Sequence, residues 1–209
     1  MSARAYLADP DAIRRASFEI VRQEARLERF PTALRPLAAR LVHSCGMPDI
    51  ADDLAWGGDV VEAGRAALRA GRPVLVDARM VAAGIARDGV PAPPILCRLD
   101  DPRVPALATT LGTTRSAAAV ELWRGDLEGA VVAIGNAPTA LFHLLDRLRE
   151  WPERPALILA VPVGFVGAAE SKAALAASGL DVPWLTLHGR RGGSAMAAAA
   201  VNALLREEP

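Results

Sequence analysis

The chain has 209 residues, of which 52% are hydrophobic and 23% charged, and its mean hydropathy is +0.21. This excludes a long disordered polypeptide, and a chain of this length buries roughly 70% of its unfolded surface without disulfide or metal staples. Lys plus Arg and Asp plus Glu each number 24, so the basic excess of a protein built to grip nucleic acid is absent and no nucleic-acid partner is expected.

Aromatic residues make up only 4%, so the core must be built from Ala, Val and Leu. The opening Met1-Ser2-Ala3-Arg4-Ala5-Tyr6 runs straight into charged residues, without the apolar stretch of a secretory signal. No 18-residue apolar run lacks charge, so no membrane-spanning helix is expected. Cys45 and Cys97 are too few for a disulfide framework. The expectation is a cytoplasmic protein with no membrane partner.

The first elements read as helices. Pro10-Asp11 opens one that runs to about Glu28, with Ile13, Ala16, Phe18, Ile20 and Val21 on a partly amphipathic face. Phe30-Pro31-Thr32 breaks the pattern. A second helix spans about Ala33 to Ser44, burying Leu34, Leu37, Leu41 and Val42, and Gly46 and Pro48 stop it. Residues 59–70 form a third, closed by Gly71.

From residue 73 the period changes. Short apolar runs at 73–77, 95–99, 130–134, 156–161 and 184–187 read as strands, centred near Leu75, Leu96, Val132, Leu159 and Leu185. Unbroken apolar runs suit strands covered on both faces. Helical stretches at about 79–87, 114–124, 138–150, 168–177 and 194–206 lie between or after them. This alternation predicts an α/β fold with a five-stranded, mainly parallel sheet and helices on both sides. We read residues 1–209 as one domain, with a helical extension over 1–70 and an α/β core over 71–209.

In such sheets ligands bind beyond the carboxyl ends of the strands. Asp77-Ala78-Arg79-Met80, Gly135-Asn136-Ala137-Pro138-Thr139, the run from Pro162 to Lys172 and Gly189-Arg190-Arg191-Gly192-Gly193-Ser194 all lie there, and Thr114-Arg115-Ser116 opens a helix nearby. Glycine-rich loops entering helices present backbone N–H groups to anions. Arg115, Lys172, Arg190 and Arg191 add positive charge. The pattern predicts a pocket for a polyanionic ligand. It carries neither a Gly-x4-Gly-Lys-Ser/Thr phosphate loop nor a Gly-x-Gly-x-x-Gly turn after the first strand. His43, His143 and His188 lack metal-ligand spacing. Cys97 reads as a small buried hydrophobe.

His43 falls in the last turn of its helix, where the dipole favours imidazolium, and Asp49, Asp52 and Asp53 follow closely. A packed helix-end histidine is the simple reading. A histidine biased toward the charged form is the alternative, and it could donate a proton.

His43-Ser44-Cys45-Gly46, the run from Gly135 to Phe142, Pro162-Val163-Gly164-Phe165-Val166-Gly167-Ala168-Ala169-Glu170-Ser171-Lys172 and Gly192-Gly193-Ser194-Ala195-Met196-Ala197 resemble the precorrin-8X methylmutase family of cobalamin biosynthesis. The likeness covers nearly the whole chain in the same order, although 47–58 matches less clearly. It implies a Rossmann-like three-layer α/β/α fold and a homodimer. It also implies an isomerase that moves a methyl group from C-11 to C-12 of a carboxylate-bearing tetrapyrrole, giving hydrogenobyrinic acid, with no cofactor or catalytic metal.

By the same resemblance His43 protonates the substrate to promote a 1,5-sigmatropic methyl shift. Thr114, Arg115, Ser116, Lys172 and Arg191 hold carboxylates. Met80, Ala137, Leu141 and Val166 wall the ring, and Asn136, Thr139, Gly164 and Gly167 line the site. A cobalt-containing substrate and a non-catalytic tetrapyrrole carrier stand as alternatives. A carrier would need no proton donor.

Overall fold

The computed structural model describes residues 6–86 and 93–206. The end of the predicted 79–87 helix, Arg87, falls outside them, as does most of the opening segment. The described helices are α1 (Pro10–Glu24), α2 (Arg35–Cys45), α3 (Ile50–Asp53), α4 (Val60–Arg69), α5 (Arg79–Gly84), α6 (Val104–Leu111), α7 (Arg115–Val120), α8 (Pro138–Glu150), α9 (Ala168–Ala176) and α10 (Ser194–Leu205). The strands are β1 (Leu54–Gly57), β2 (Val74–Val76), β3 (Ile95–Cys97), β4 (Val131–Ile134), β5 (Leu157–Ala160) and β6 (Trp184–Leu187).

They form one sheet in the order β1-β6-β5-β4-β2-β3. The five predicted strands are all present and pair in parallel. The sixth, β1, pairs antiparallel with β6, with Leu54 opposite Leu187 and Gly57 opposite Trp184. Leu54-Ala55-Trp56 is bounded by Asp53 and by Gly57-Gly58 and is only partly buried beyond Leu54, so β1 lacks the continuous apolar run that marks the other strands. The short α3 and α6 were likewise missed.

Successive strand residues point to opposite faces, and the core divides accordingly. Val74, Val76, Val131, Ala133, Leu157 and Leu159 join a cluster with α2, α4, α5 and α10. Leu75, Val132, Ile134, Ile158 and Ala160 join another with α8 and α9. Two apolar layers explain why no strand alternates in polarity. Helix α10 is mostly apolar, as a largely covered helix must be, and Met196 to Val201 are all buried.

Two expectations are corrected. The segment 1–70 is not all helical: it contains β1, which extends the sheet, while α2 and α4 belong to one of the two apolar layers. On α1 only Val21 is buried, while Ile13 and Ile20 are about half exposed.

Among the five parallel strands, chain order runs outward in both directions from β2, so the switch point lies between β2 and β4. That crevice is the place where open α/β sheets usually take a ligand. Here a side chain of the protein enters it. Asp77, just after β2, is 2% exposed. Its carboxylate accepts the N–H groups of Gly135, Asn136 and Ala137, just after β4, at 2.9, 2.9 and 2.6 Å. Burial pushes the Asp77 carboxyl above its ordinary value, and these amide donors pull it back.

A buried donor left without an acceptor costs about 1–3 kcal/mol. Asp77→Ala strands three of them, so it should lower unfolding free energy by about 3 kcal/mol or more in urea titrations. Asp77→Asn, which keeps one acceptor oxygen, should cost less.

Candidate active site

The carboxyl edge of the sheet collects the loops that the sequence singled out. Each is tied to its neighbour. Thr114 caps α7, accepting the N–H of Ala117 at 3.2 Å, and its hydroxyl lies 2.7 Å from that of Thr139 in the first turn of α8. Arg115 donates to the carbonyl of Leu99, beyond β3, and pairs with Asp100 at 3.7 Å. Asn136, Thr139, Met80 and Val166 are exposed on this edge, Met80 by 72% and Val166 by 89%; Ser116 is half-buried. Ala137 is buried and Leu141 belongs wholly to the core, so Leu141 is removed from the candidate walls. Phe165 is 84% exposed, with the Arg190 guanidinium 5.4 Å from its ring.

Two glycines frame the 162–167 loop. Gly164 and Gly167 have φ of 146° and 79°, a region that side chains disfavour. The loop is stitched to its neighbour by Gly164 N–H donating to Arg190 O at 3.1 Å.

Strand β1 brings the amino-terminal elements to the same edge. Because Leu54 lies opposite Leu187 at the carboxyl end of β6, residues 46–53 and the end of α2 lie beside the loop after β6. Arg191 of that loop pairs with Asp49 at 2.5 Å and Asp53 at 2.6 Å. These carboxylates push the guanidinium above its ordinary value. The 47–58 segment, from which no role was read, thus holds a residue expected in the site.

Lys172 is not displayed on the rim. Its side chain is fully buried, and the amine donates to the backbone carbonyl of Arg191 at 2.6 Å. The expectation that it meets substrate carboxylates directly is therefore corrected.

His43 stands in the last turn of α2, before Gly46 in the left-handed conformation at φ 68°. Its Nδ1 lies 2.8 Å from the Ser17 hydroxyl, and its ring stacks on Phe18 with centroids 4.7 Å apart. The Arg40 guanidinium covers the other part of this stack, 4.9 Å from the Phe18 ring. Burial lowers the His43 pKa below its ordinary value, and the Arg40 charge lowers it further.

Both effects work against the helix-end argument for an imidazolium. The carboxylates invoked for it are engaged elsewhere: Asp49 and Asp53 on Arg191, and Asp52 on Arg26 at 3.3 Å. Ser17 and Phe18 were missed because they come from another helix, 26 and 25 residues upstream. Arg40 was legible in principle, since a residue three positions before His43 shares its helix face.

Among the described residues no three His, Cys, Asp or Glu side chains gather as a metal site, and no helix is long and apolar enough to cross a membrane. A cavity of about 280 Å³ lined by Leu34, Trp56 and Val60 lies toward the opposite edge, near the Gly57 end of β1, and shares no residue with this cluster.

The family profile of precorrin-8X methylmutase matches residues 12–207. The chain is 57% identical to the precorrin-8X methylmutase of Pseudomonas aeruginosa over 203 residues, covering 97% of this chain and 98% of that one. It is 34% identical to the cobalt-precorrin-8 methylmutase of Priestia megaterium over 197 residues, covering 93% and 87%. The crystal structure of precorrin-8X methylmutase from Thermus thermophilus superposes with a TM-score of 0.84 at 39% identity, covering 93% and 94%. With the motifs, the fold and these relatives in agreement across almost its full length, the chain belongs to the precorrin-8X methylmutase family.

Proposed function

We propose that the protein is a precorrin-8X methylmutase, an isomerase of cobalamin biosynthesis that moves a methyl group between adjacent carbons of a polycarboxylate tetrapyrrole, C-11 to C-12, yielding hydrogenobyrinic acid. The observation that carries this reading is a histidine positioned by a hydroxyl and an aromatic face at the edge where cationic and N–H-rich loops converge. A non-catalytic carrier would have no use for that positioning. The 57% identity to a precorrin-8X enzyme, against 34% to a cobalt-precorrin-8 enzyme, supports the metal-free substrate.

The carboxylates of the macrocycle meet Arg115, Arg191, Thr114, Ser116, Asn136 and Thr139, together with the N–H groups around Gly164 and Gly167. Met80, Val166 and the edge of Ala137 cover the apolar ring. Charged hydrogen bonds of this kind fix the ring relative to the catalytic group. With Nδ1 on Ser17, the proton passes through Nε2 of His43. In the free protein burial and Arg40 lower the proton affinity of the ring, and the negative charge of the bound substrate raises it. The imidazolium then protonates the conjugated system, the methyl migrates within it, and the proton returns to His43. No proton is gained or lost overall.

A second copy of the chain completes the assembly, supported by the zero net charge and by exposed Tyr6, Ile13 and Ile20, seven residues apart along the amino-terminal segment. Free Cys45 and Cys97 suit the reducing cytoplasm.

His43→Ala should lose activity by about 10²–10⁴-fold while retaining tetrapyrrole binding. In the free protein, NMR titration should place His43 below an ordinary histidine, and Arg40→Met should move it upward. Wild-type activity should fall as pH rises through the histidine pKa of the complex, because the acid form is then lost. Near wild-type turnover in His43→Ala would leave the residue a mere helix-end histidine.

Arg115→Ala should weaken binding of hydrogenobyrinic acid by about tenfold to a hundredfold, and added salt should weaken the wild type. Sedimentation at micromolar concentration should give about twice 22.0 kDa, and a monomer with ligand bound would remove the shared assembly.

A further inference from the structure

Lys172 is a buried charge in a long glycine-flanked motif, and the mechanism leaves it without a task. A buried ammonium is costly unless it is paired or hydrogen-bonded, so its partners reveal its role. One of them is specific. The amine donates to the carbonyl of Arg191, 19 residues on, at 2.6 Å. Burial, partly offset by the Asp53 carboxylate, brings the Lys172 pKa down to about 8. Lys172 and Arg191 thus share Asp53, one through its field and the other through an ion pair.

The loop around Arg191 is held at several other points. Gly193 N–H donates to Val161 O at 2.8 Å, and Gly164 N–H donates to Arg190 O at 3.1 Å. A side chain on Gly192 would place its Cβ 2.1 Å from Val161 O, so the two backbones are in direct contact at this point. The guanidinium of Arg191 is held separately, by Asp49 and Asp53 on the far side. Arg191 is therefore fixed twice: its main chain from α9 and its head group from the segment before β1.

We propose that Lys172 is a positioning residue that acts through Arg191, with its amine setting the Arg191 main chain while Asp49 and Asp53 aim the guanidinium at a substrate carboxylate. This rests on the reading above in which Arg191 meets the substrate. It gives the Lys172 charge an indirect part in recognition, and it gives the 47–58 segment a function as the anchor of the clamp.

The test is a double-mutant cycle read by absorbance titration with hydrogenobyrinic acid, with urea unfolding measured on each variant. Arg191→Ala should weaken binding about tenfold or more, as loss of a charged hydrogen bond does. Lys172→Met should also weaken it by about tenfold, with KM raised and kcat within about twofold, and the double variant should bind no worse than about twofold below Arg191→Ala. Lys172→Arg, which retains a donor on a longer stem, should recover part of the loss.

Multiplying effects in the double variant would overturn the proposal, because Lys172 would then contribute independently of Arg191. Wild-type affinity in a folded Lys172→Met would overturn it as well. An unaffected Arg191→Ala would instead remove the reading beneath it. Should Lys172→Met fail to fold, Asp53→Asn in the same cycle decides. Non-additivity with Arg191→Ala supports the cradle, and additivity overturns it.

Discussion

The carboxyl edge depends on how the protein fills its own switch point. In a sheet whose strands diverge from β2, the crevice between β2 and β4 is the natural ligand slot, and Asp77 occupies it. Three consecutive amides converge on one carboxylate there. This fixes where α8 begins, and with it Thr139, Thr114 across from it and the start of α7. With that slot filled, the surface the edge offers is a broad rim running from Asp100 after β3 to Asp49 beside β6. A rim of that breadth suits a flat ligand with charged groups around its periphery better than a nucleotide.

The two ends of the rim are built differently. At the β3 end, Arg115 is tied to a backbone carbonyl and one exposed carboxylate, which leaves it largely in solvent. At the β6 end, Arg191 is partly buried and braced by two carboxylates. An exposed guanidinium must lose side-chain freedom when it binds, whereas a braced one has already lost it. On the function proposed above, the macrocycle would be oriented mainly from the β6 end, the end that also carries His43.

Much of this was legible in the sequence. The central parallel strands announced themselves because they are buried on both faces, so apolar runs such as Leu157 to Ala160 stand out from their surroundings. Strand β1 did not, since Leu54 to Gly57 lacks such a continuous run and gains its identity only by pairing with β6. The rim loops were legible through their glycines. The state of His43 was not. The helix-end argument weighed the dipole and the nearby aspartates, but Asp49 and Asp53 face Arg191 and Asp52 faces Arg26, while the ring stacks on Phe18 and feels the charge of Arg40. Lys172 misled in the same way: a lysine in a loop-rich motif reads as exposed, and only the packing shows its amine turned inward.

Helix α10 carries a consequence for how the sequence can drift. A Cβ on Gly135 would lie 2.8 Å from both the Cα of Ser194 and the Cβ of Ala197, so helix and loop already meet with the smallest residues available. Ala197 cannot enlarge by borrowing space from a partner that has none to give, and compensating pairs of substitutions are closed to this contact. A methyl group added to a plain alanine helix would shift the Gly135 loop, and so reach the substrate rim without touching it. Neutral variation should therefore avoid this stretch of α10.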